Sequence, residues 1–304
     1  MFRRGEKHHW WPKGLSKFWE DKKGLVNRID ASGKSIKSKA KEFGHISDAH
    51  NFVNKSSSWN FSIEHFFDEP DNKMPKVIEW LNEFKAPMDG DSENKDFYFM
   101  LENEDAMLDA LRVCILSLAV RSPRYRESIV NSIEHFRGDI GNKSEAKNII
   151  TLNINQKYKS LISSSKGKGR FVLLFSKDEF IYGDGFYSNL KISMQSVHNL
   201  KLVVPMTPSL AVIWSNPSVM QAGPVLSSIE ADCNMVRMVN HSVQVYSKEY
   251  LFYRQQQPVL IDDFKNGTFK KYIYGLDPVE AMIDELIPDV GLNDFNFIKS
   301  IYSE

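Results

Sequence analysis

Phe171-Val172-Leu173-Leu174-Phe175 is the run on which the fold turns. It is apolar, β-branched and aromatic, and has strand length. Three similar stretches follow at 180–182, 200–204 and 210–214, separated by Gly, Asn, Pro and Asp. Those separators break and turn a chain. This spacing predicts a β meander.

Upstream, the pattern is helical. Met107, Leu108, Leu111, Ile115 and Leu118 form one apolar stripe, and Asn103-Glu104-Asp105 supplies a cap and an acidic first turn. Ser122-Pro123 ends that helix and starts another, with Ser at the N-cap and Pro at the first helical position. The second helix carries Tyr125, Ile129, Ile133 and Phe136, and a third runs from about 142 to 162. Earlier, Val77, Ile78, Leu81 and Phe84 stand at helical spacing after Pro75. Earlier still, Leu25, Val26 and Ile29 precede Ala31-Ser32-Gly33-Lys34 and Ile36, a hairpin pattern. The stretch 45–53 leads to a break at Ser56-Ser57-Ser58, and 89–95 reads as a charged turn.

Downstream of the meander, a helix starts at about Asp232, with Val236, Val239, Val243, Tyr246 and Tyr250 on one face. The tail suggests a strand near Val259, an aromatic turn and a short helix at 279–286. The order of small β unit, helices, meander and helix predicts an α+β fold. Its expected form is an antiparallel meander packed on a helical layer in a single compact domain. No βαβ rhythm, GxGxxG or P-loop is present, which disfavours a dinucleotide or nucleotide site of the usual kind.

At 304 residues, 42% of them hydrophobic, the chain can bury a substantial core, and its net charge of zero gives no overall basic field. Charge is nonetheless uneven. Lysines and arginines dominate the first 45 residues and recur at Lys157, Lys159, Lys166, Lys168 and Arg170, whereas Asp277, Glu280, Asp284, Glu285 and Asp289 make the end acidic. A local basic surface for nucleic acid is one expectation, and two solvated faces that attract each other is the other. Cys114 and Cys233 both sit in apolar helical patterns and read as free buried thiols of a reducing cytoplasm. No apolar run is long enough to span a bilayer and no signal-peptide core is present, so the expected location is cytoplasmic, without membrane contact.

The residues suited to chemistry are scattered. His8-His9-Trp10-Trp11-Pro12 opens the chain with two imidazoles, each able to act as a general base or metal ligand. Adjacent residues on a strand face opposite ways, so one histidine should enter a site while the other packs behind it. Asp184 lies between Gly183 and Gly185 at a strand end, where backbone can approach a ligand or simply turn. Asn240 and Gln244 are one helical turn apart, placed to bond a neighbouring element or to line a pocket. Arg121 and Arg126 flank Ser122-Pro123, as caps or as a phosphate or carboxylate clamp. Zinc spacings and GxSxG are absent.

These landmarks, in order, resemble the uncharacterised bacterial family called domain of unknown function 4238. The resemblance rests on His8-His9-x-x-Pro12 followed by Leu15 and Phe18, on Arg121-Ser122-Pro123, on Asp184, on Pro205-Met206-Thr207-Pro208, and on the helix around Asn240. The family's Asn-Pro after the aspartate is replaced here by Gly185-Phe186. The resemblance covers residues 7 to about 254, which divides the chain into 1–254 and a C-terminal extension, 255–304, packed on it. It implies a folded polar site and is compatible with a bacterial defence or toxin-like role.

The expected activity is phosphodiester cleavage by a nuclease-like hydrolase. His8, His9 and Asp184 are its catalytic candidates, and Arg121, Arg126, Asn240 and Gln244 its substrate-binding candidates. The expected cofactor is a divalent metal ion held by His9 and Asp184. Expected partners are nucleic acid on the basic N-terminal segment, and a protein partner or a second copy of the chain. The alternatives are a non-catalytic ligand- or partner-binding sensor, and polar residues that merely bond the core.

Overall fold

The computed structural model describes residues 6–53, 60–85, 96–98, 105–138, 143–190, 199–216, 225–267 and 277–287. The expected breaks at Ser56-Ser57-Ser58 and 89–95, the cap residues Asn103 and Glu104, and the aromatic turn in the tail lie outside them. In chain order the elements begin with β1 (Lys7–His9), α1 (Lys13–Ser16), β2 (Val26–Asp30), β3 (Ser35–Ser38), β4 (His45–Ser47), β5 (Asn51–Val53) and β6 (Asn60–Ser62). A helical block follows: α2 (His65–Asn82), the short β7 (Asp96–Tyr98), α3 (Asp105–Arg121), α4 (Pro123–Arg137) and α5 (Lys143–Ser164). The second half holds β8 (Arg170–Phe175), β9 (Tyr182–Gly183), β10 (Leu200–Thr207), β11 (Leu210–Asn216), β12 (Leu226–Glu230), α6 (Cys233–Tyr246), β13 (Tyr250–Tyr253), α7 (Asp262–Lys265) and α8 (Pro278–Leu286).

Local chemistry explains most boundaries. Asp30 Oδ1 accepts from the backbone N–H groups of Ser32 and Lys34, both at 3.0 Å, and Gly33 supplies the positive φ, so β2 and β3 close into the expected hairpin. Ser122 accepts from Tyr125 N and caps α4, and Asp232 accepts from Met235 N and caps α6. Helix α2 is longer than the spacing suggested because it runs through Pro70 and Pro75. Pro75 has no N–H to offer the Asp71 carbonyl. Gly14 of α1 packs there instead, so close that a Cβ would lie 3.1 Å from that oxygen.

The main sheet has the order β10-β11-β8-β12-β7. Strands β10, β11 and β8 are antiparallel neighbours, with β8 beside β11 and not beside β10. The sheet is mixed, however, because β12 joins β8 in parallel. Leu226-Ser227-Ser228-Ile229 has no continuous apolar run, so its sequence did not announce a strand. A second sheet, β3-β2-β13-β9, completes the α+β architecture.

Five local expectations need correction. Of residues 180–182 only Tyr182 is in a strand, β9, where it pairs with Phe252 of the second sheet; Phe180 N donates to Pro208 O and Ile181 N to the Asn240 side chain instead. Tyr250 leaves the helix face and opens β13. Val259 is exposed and outside any strand, and Phe136 faces solvent at the end of α4. Both cysteines are free, but only Cys114 is buried; Cys233, at the first turn of α6, is exposed.

The C-terminal residues Phe264, Val279, Met282 and Ile283 belong to the same buried apolar cluster as Trp11, Leu111 and Trp214. No described helix is long and apolar enough to cross a membrane.

Candidate functional site

The N-terminal strand does what its alternation requires. In the β1–β4 pair, His8 faces Ile46 and His9 faces His45 across the ladder. Trp10 N and Trp11 N both donate to Gly44 O, and Gly44 has a positive φ and no room for a Cβ beside Trp11. Trp11 then stacks on Tyr182, 5.2 Å between centroids, which fastens the ribbon into the core.

His8 points inward and is buried. Its Nδ1 accepts the backbone N–H of His50 at 2.8 Å, and the two imidazoles stack with centroids 5.0 Å apart. His50, also buried, meets the Glu64 carboxylate through its own Nδ1. Burial lowers the His50 pKa well below its ordinary value, and the Arg126, His8 and Arg121 charges push the same way. Burial raises Glu64, opposed by His8, Arg121 and His9. The pair therefore favours a neutral imidazole beside a carboxyl group that holds or shares a proton.

His8, His50 and Glu64 each offer a metal-ligand atom within 4.8 Å of the others. The hydrogen bonds disfavour that use. A neutral imidazole has one donor and one acceptor nitrogen, so acceptance at His8 Nδ1 puts the proton on Nε2. That nitrogen lies 3.7 Å from Glu6 Oε2. Capture of an ion there would have to displace this proton or break the bond to His50. Proton sharing suits the cluster better than metal binding.

His9 is the outward histidine. It is half-buried, with its ring 5.8 Å from that of His45. Burial lowers its pKa first, and His45 adds to the effect. It lines a cavity of about 250 Å³ with Lys13, Ser16, Glu20, Lys39 and Lys41.

The other anticipated residues are placed differently. Arg121 is fully buried, and its guanidinium grips Asp71 through both terminal nitrogens; Nη1 also donates to His9 O at 3.2 Å. The expected substrate clamp at Arg121 is thus closed on a protein carboxylate. Asp184 accepts from Lys248 N at 2.9 Å and Glu249 N at 3.0 Å, one per oxygen. Both flanking glycines are required, because a Cβ at Gly183 would collide with Ser247 Oγ and one at Gly185 with Tyr246 O. Burial raises Asp184 to about 7. Its carboxylate is engaged in holding the end of α6, not presented to a substrate.

Asn240 takes the Ile181 N–H at 2.9 Å and gives to Glu179 O at 2.8 Å; Gln244 takes Ile261 N and gives to Val259 O, both at 3.0 Å. Each amide imitates a peptide group in a ladder, so the substrate-binding role expected of them is replaced by a structural one. His9 and Asp184 line different cavities, and the metal pairing expected of them finds no support there.

Sequence reasoning missed His50 and Glu64. One signal was available: four of the eight histidines, at 8, 9, 45 and 50, fall within the first 50 residues.

No protein-family model, curated protein or solved structure matches the chain.

Proposed function

We propose that the chain is a phosphodiester-cleaving hydrolase in which His9 is the general base. The observation that carries this reading is an imidazole, held neutral by partial burial, that lines a cavity with Lys13, Lys39 and Lys41. Neutral imidazole can take a proton from an attacking water, and ammonium groups can bind and neutralise phosphoryl oxygens. His8, behind it, would hold the strand through His50 and Glu64. Lysines of the N-terminal segment would guide a nucleic acid substrate, and a defence or toxin-like role belongs to the same proposal.

The test is hydrolysis of bis-p-nitrophenyl phosphate and single-stranded RNA by the full chain, with and without divalent ions. His9→Ala should lower the rate by at least about a hundredfold and leave the melting temperature nearly unchanged. Because the His9 pKa is lowered, wild-type activity should persist somewhat below pH 6.5 and fall as the imidazole protonates. No turnover by the wild type, or equal turnover by His9→Ala, would sink the proposal. Absence of turnover would favour the reading in which the polar residues bond the core, which is supported by the engagement of Asp184, Asn240 and Gln244 in backbone bonds.

A further inference from the structure

The face around the His9 cavity carries more positive charge than the fold uses. Lys13, Lys39 and Lys41 line the cavity. Lys17 follows Lys13 by four residues, and Lys22 and Lys23 immediately precede Gly24, another residue of the lining. All six lysines are exposed, and no carboxylate among the described residues pairs with them. The nearby Asp21 is spent elsewhere: it pairs with Lys37 Nζ at 2.6 Å and takes the Lys23 and Leu25 amides at 2.8 and 3.0 Å. Glu20 is the one carboxylate among the described lining residues, against three ammonium groups. Such a surplus on one face attracts a polyanion.

Cleaving a phosphodiester takes a nucleophile, a base for its proton, a proton for the departing oxygen and cations for the phosphoryl oxygens. The cavity supplies the last three, through the His9 imidazole and the lysine ammonium groups. It does not supply the first. The one hydroxyl of its lining, on Ser16, is buried and donates to Lys13 O at 3.3 Å. A nucleophile already fixed beside the phosphorus suits this set best, because intramolecular groups reach effective concentrations of roughly 10⁵–10⁸ M. RNA carries one on every nucleotide, the ribose 2′-hydroxyl, and DNA does not.

We propose that the substrate of this site is RNA and that the nucleophile is the substrate's own 2′-hydroxyl. The proposal rests on the hydrolytic reading of His9. The imidazole takes the 2′-hydroxyl proton, the 2′-oxygen bonds to phosphorus, and the bond from phosphorus to the 5′-oxygen of the next nucleotide breaks. That oxygen takes a proton from a lysine ammonium of the cavity; the imidazolium returns its proton to water and the lysine recovers one. The first products are a 2′,3′-cyclic phosphate and a 5′-hydroxyl. Water then opens the cyclic ester, its hydroxyl going to phosphorus and its proton to the 2′-oxygen, which completes the hydrolysis.

The test gives the full chain three oligonucleotides of one sequence, as RNA, as DNA and as fully 2′-O-methylated RNA, with bis-p-nitrophenyl phosphate alongside and the fragments read by mass spectrometry. RNA should be cut at least about a hundredfold faster than the other two strands, and its early fragments should end in a cyclic phosphate. His9→Ala should lose that cutting. Comparable cutting of DNA or of the methylated strand, fragments that carry a 5′-phosphate, or turnover of bis-p-nitrophenyl phosphate without cutting of RNA would overturn this inference and leave the hydrolytic reading standing. No turnover of any of the four, or equal cutting of RNA by His9→Ala, would overturn both. The methylated strand, bound without being cut, also measures the lysine face. Lys22→Gln with Lys23→Gln should weaken its binding and lower the slope of log affinity against log salt by about 0.7 per lysine; unchanged affinity and slope would show that the strand lies elsewhere and overturn the assignment.

Discussion

The polar residues around α6 and those around β1 differ in how fully their hydrogen bonds are used. Asp184, Asn240 and Gln244 spend both ends of their side chains on backbone groups, Asp184 with one amide on each oxygen. Around β1, Arg126 retains an unpartnered edge, and His9 lines a lysine-rimmed cavity. The saturated group fixes loops in place, since every donor and acceptor it owns is committed. The unsaturated group leaves buried donors without a partner, at a cost in stability. Both groups looked alike in sequence, as isolated polar residues beside apolar runs.

Three substitutions can break or sharpen that contrast. The largest effect is expected at Arg121→Ala. It leaves Asp71 without the fully buried cation that grips it and frees His9 O, and a broken buried pair of this kind costs about 3–5 kcal/mol. Denaturant unfolding measures it; a loss under about 1 kcal/mol would show that Arg121 is not the anchor of the ribbon.

Asp184→Asn comes next. The amide can accept for only one of the two N–H groups at 248 and 249, so near neutral pH a loss of about 1–2 kcal/mol is expected. The pH dependence is the sharper readout. The folded pKa of Asp184 is raised, to about 7. Its contribution to stability is therefore complete below the ordinary aspartate range and is lost as pH rises through about 7. The wild type should lose stability across that window, and Asp184→Asn should lose less. Parallel pH profiles would show that Asp184 is ionised in the fold.

The smallest effect is expected at Asn240→Ala, about 1 kcal/mol, from the loss of its bonds to Ile181 N and Glu179 O. Urea midpoints would measure it. Under the hydrolytic proposal its turnover should match the wild type, whereas a loss of activity without a loss of stability would return Asn240 to the substrate side.

The legible parts of the fold were those whose cause lies within a few residues. The Asp30 turn, the Ser122 and Asp232 caps and the stripe of α3 are each written in a short window. The end of α6 shows where that reading fails. Tyr250 continues the helical spacing of Val239, Val243 and Tyr246, yet the chain leaves the helix because Asp184 takes the amides of Lys248 and Glu249. The acceptor that draws those amides out lies more than 60 residues upstream. Strand β12 was missed for a related reason: its pairing with β8, not an apolar run of its own, makes it a strand.

By itself the sequence determined an α+β fold, an inward and an outward histidine on one strand, and the clustering of lysines near the N-terminus. Those follow from periodicity and composition, which need no knowledge of distant neighbours. Only the tertiary structure decided which side chains are engaged. It brought His50 to His8 across 42 residues and Ala49 to Arg126 across 77. It also closed Arg121 on the Asp71 carboxylate and Arg126 on the Ala49 carbonyl, so that the two arginines flanking Ser122-Pro123, indistinguishable in the sequence, ended on different partners.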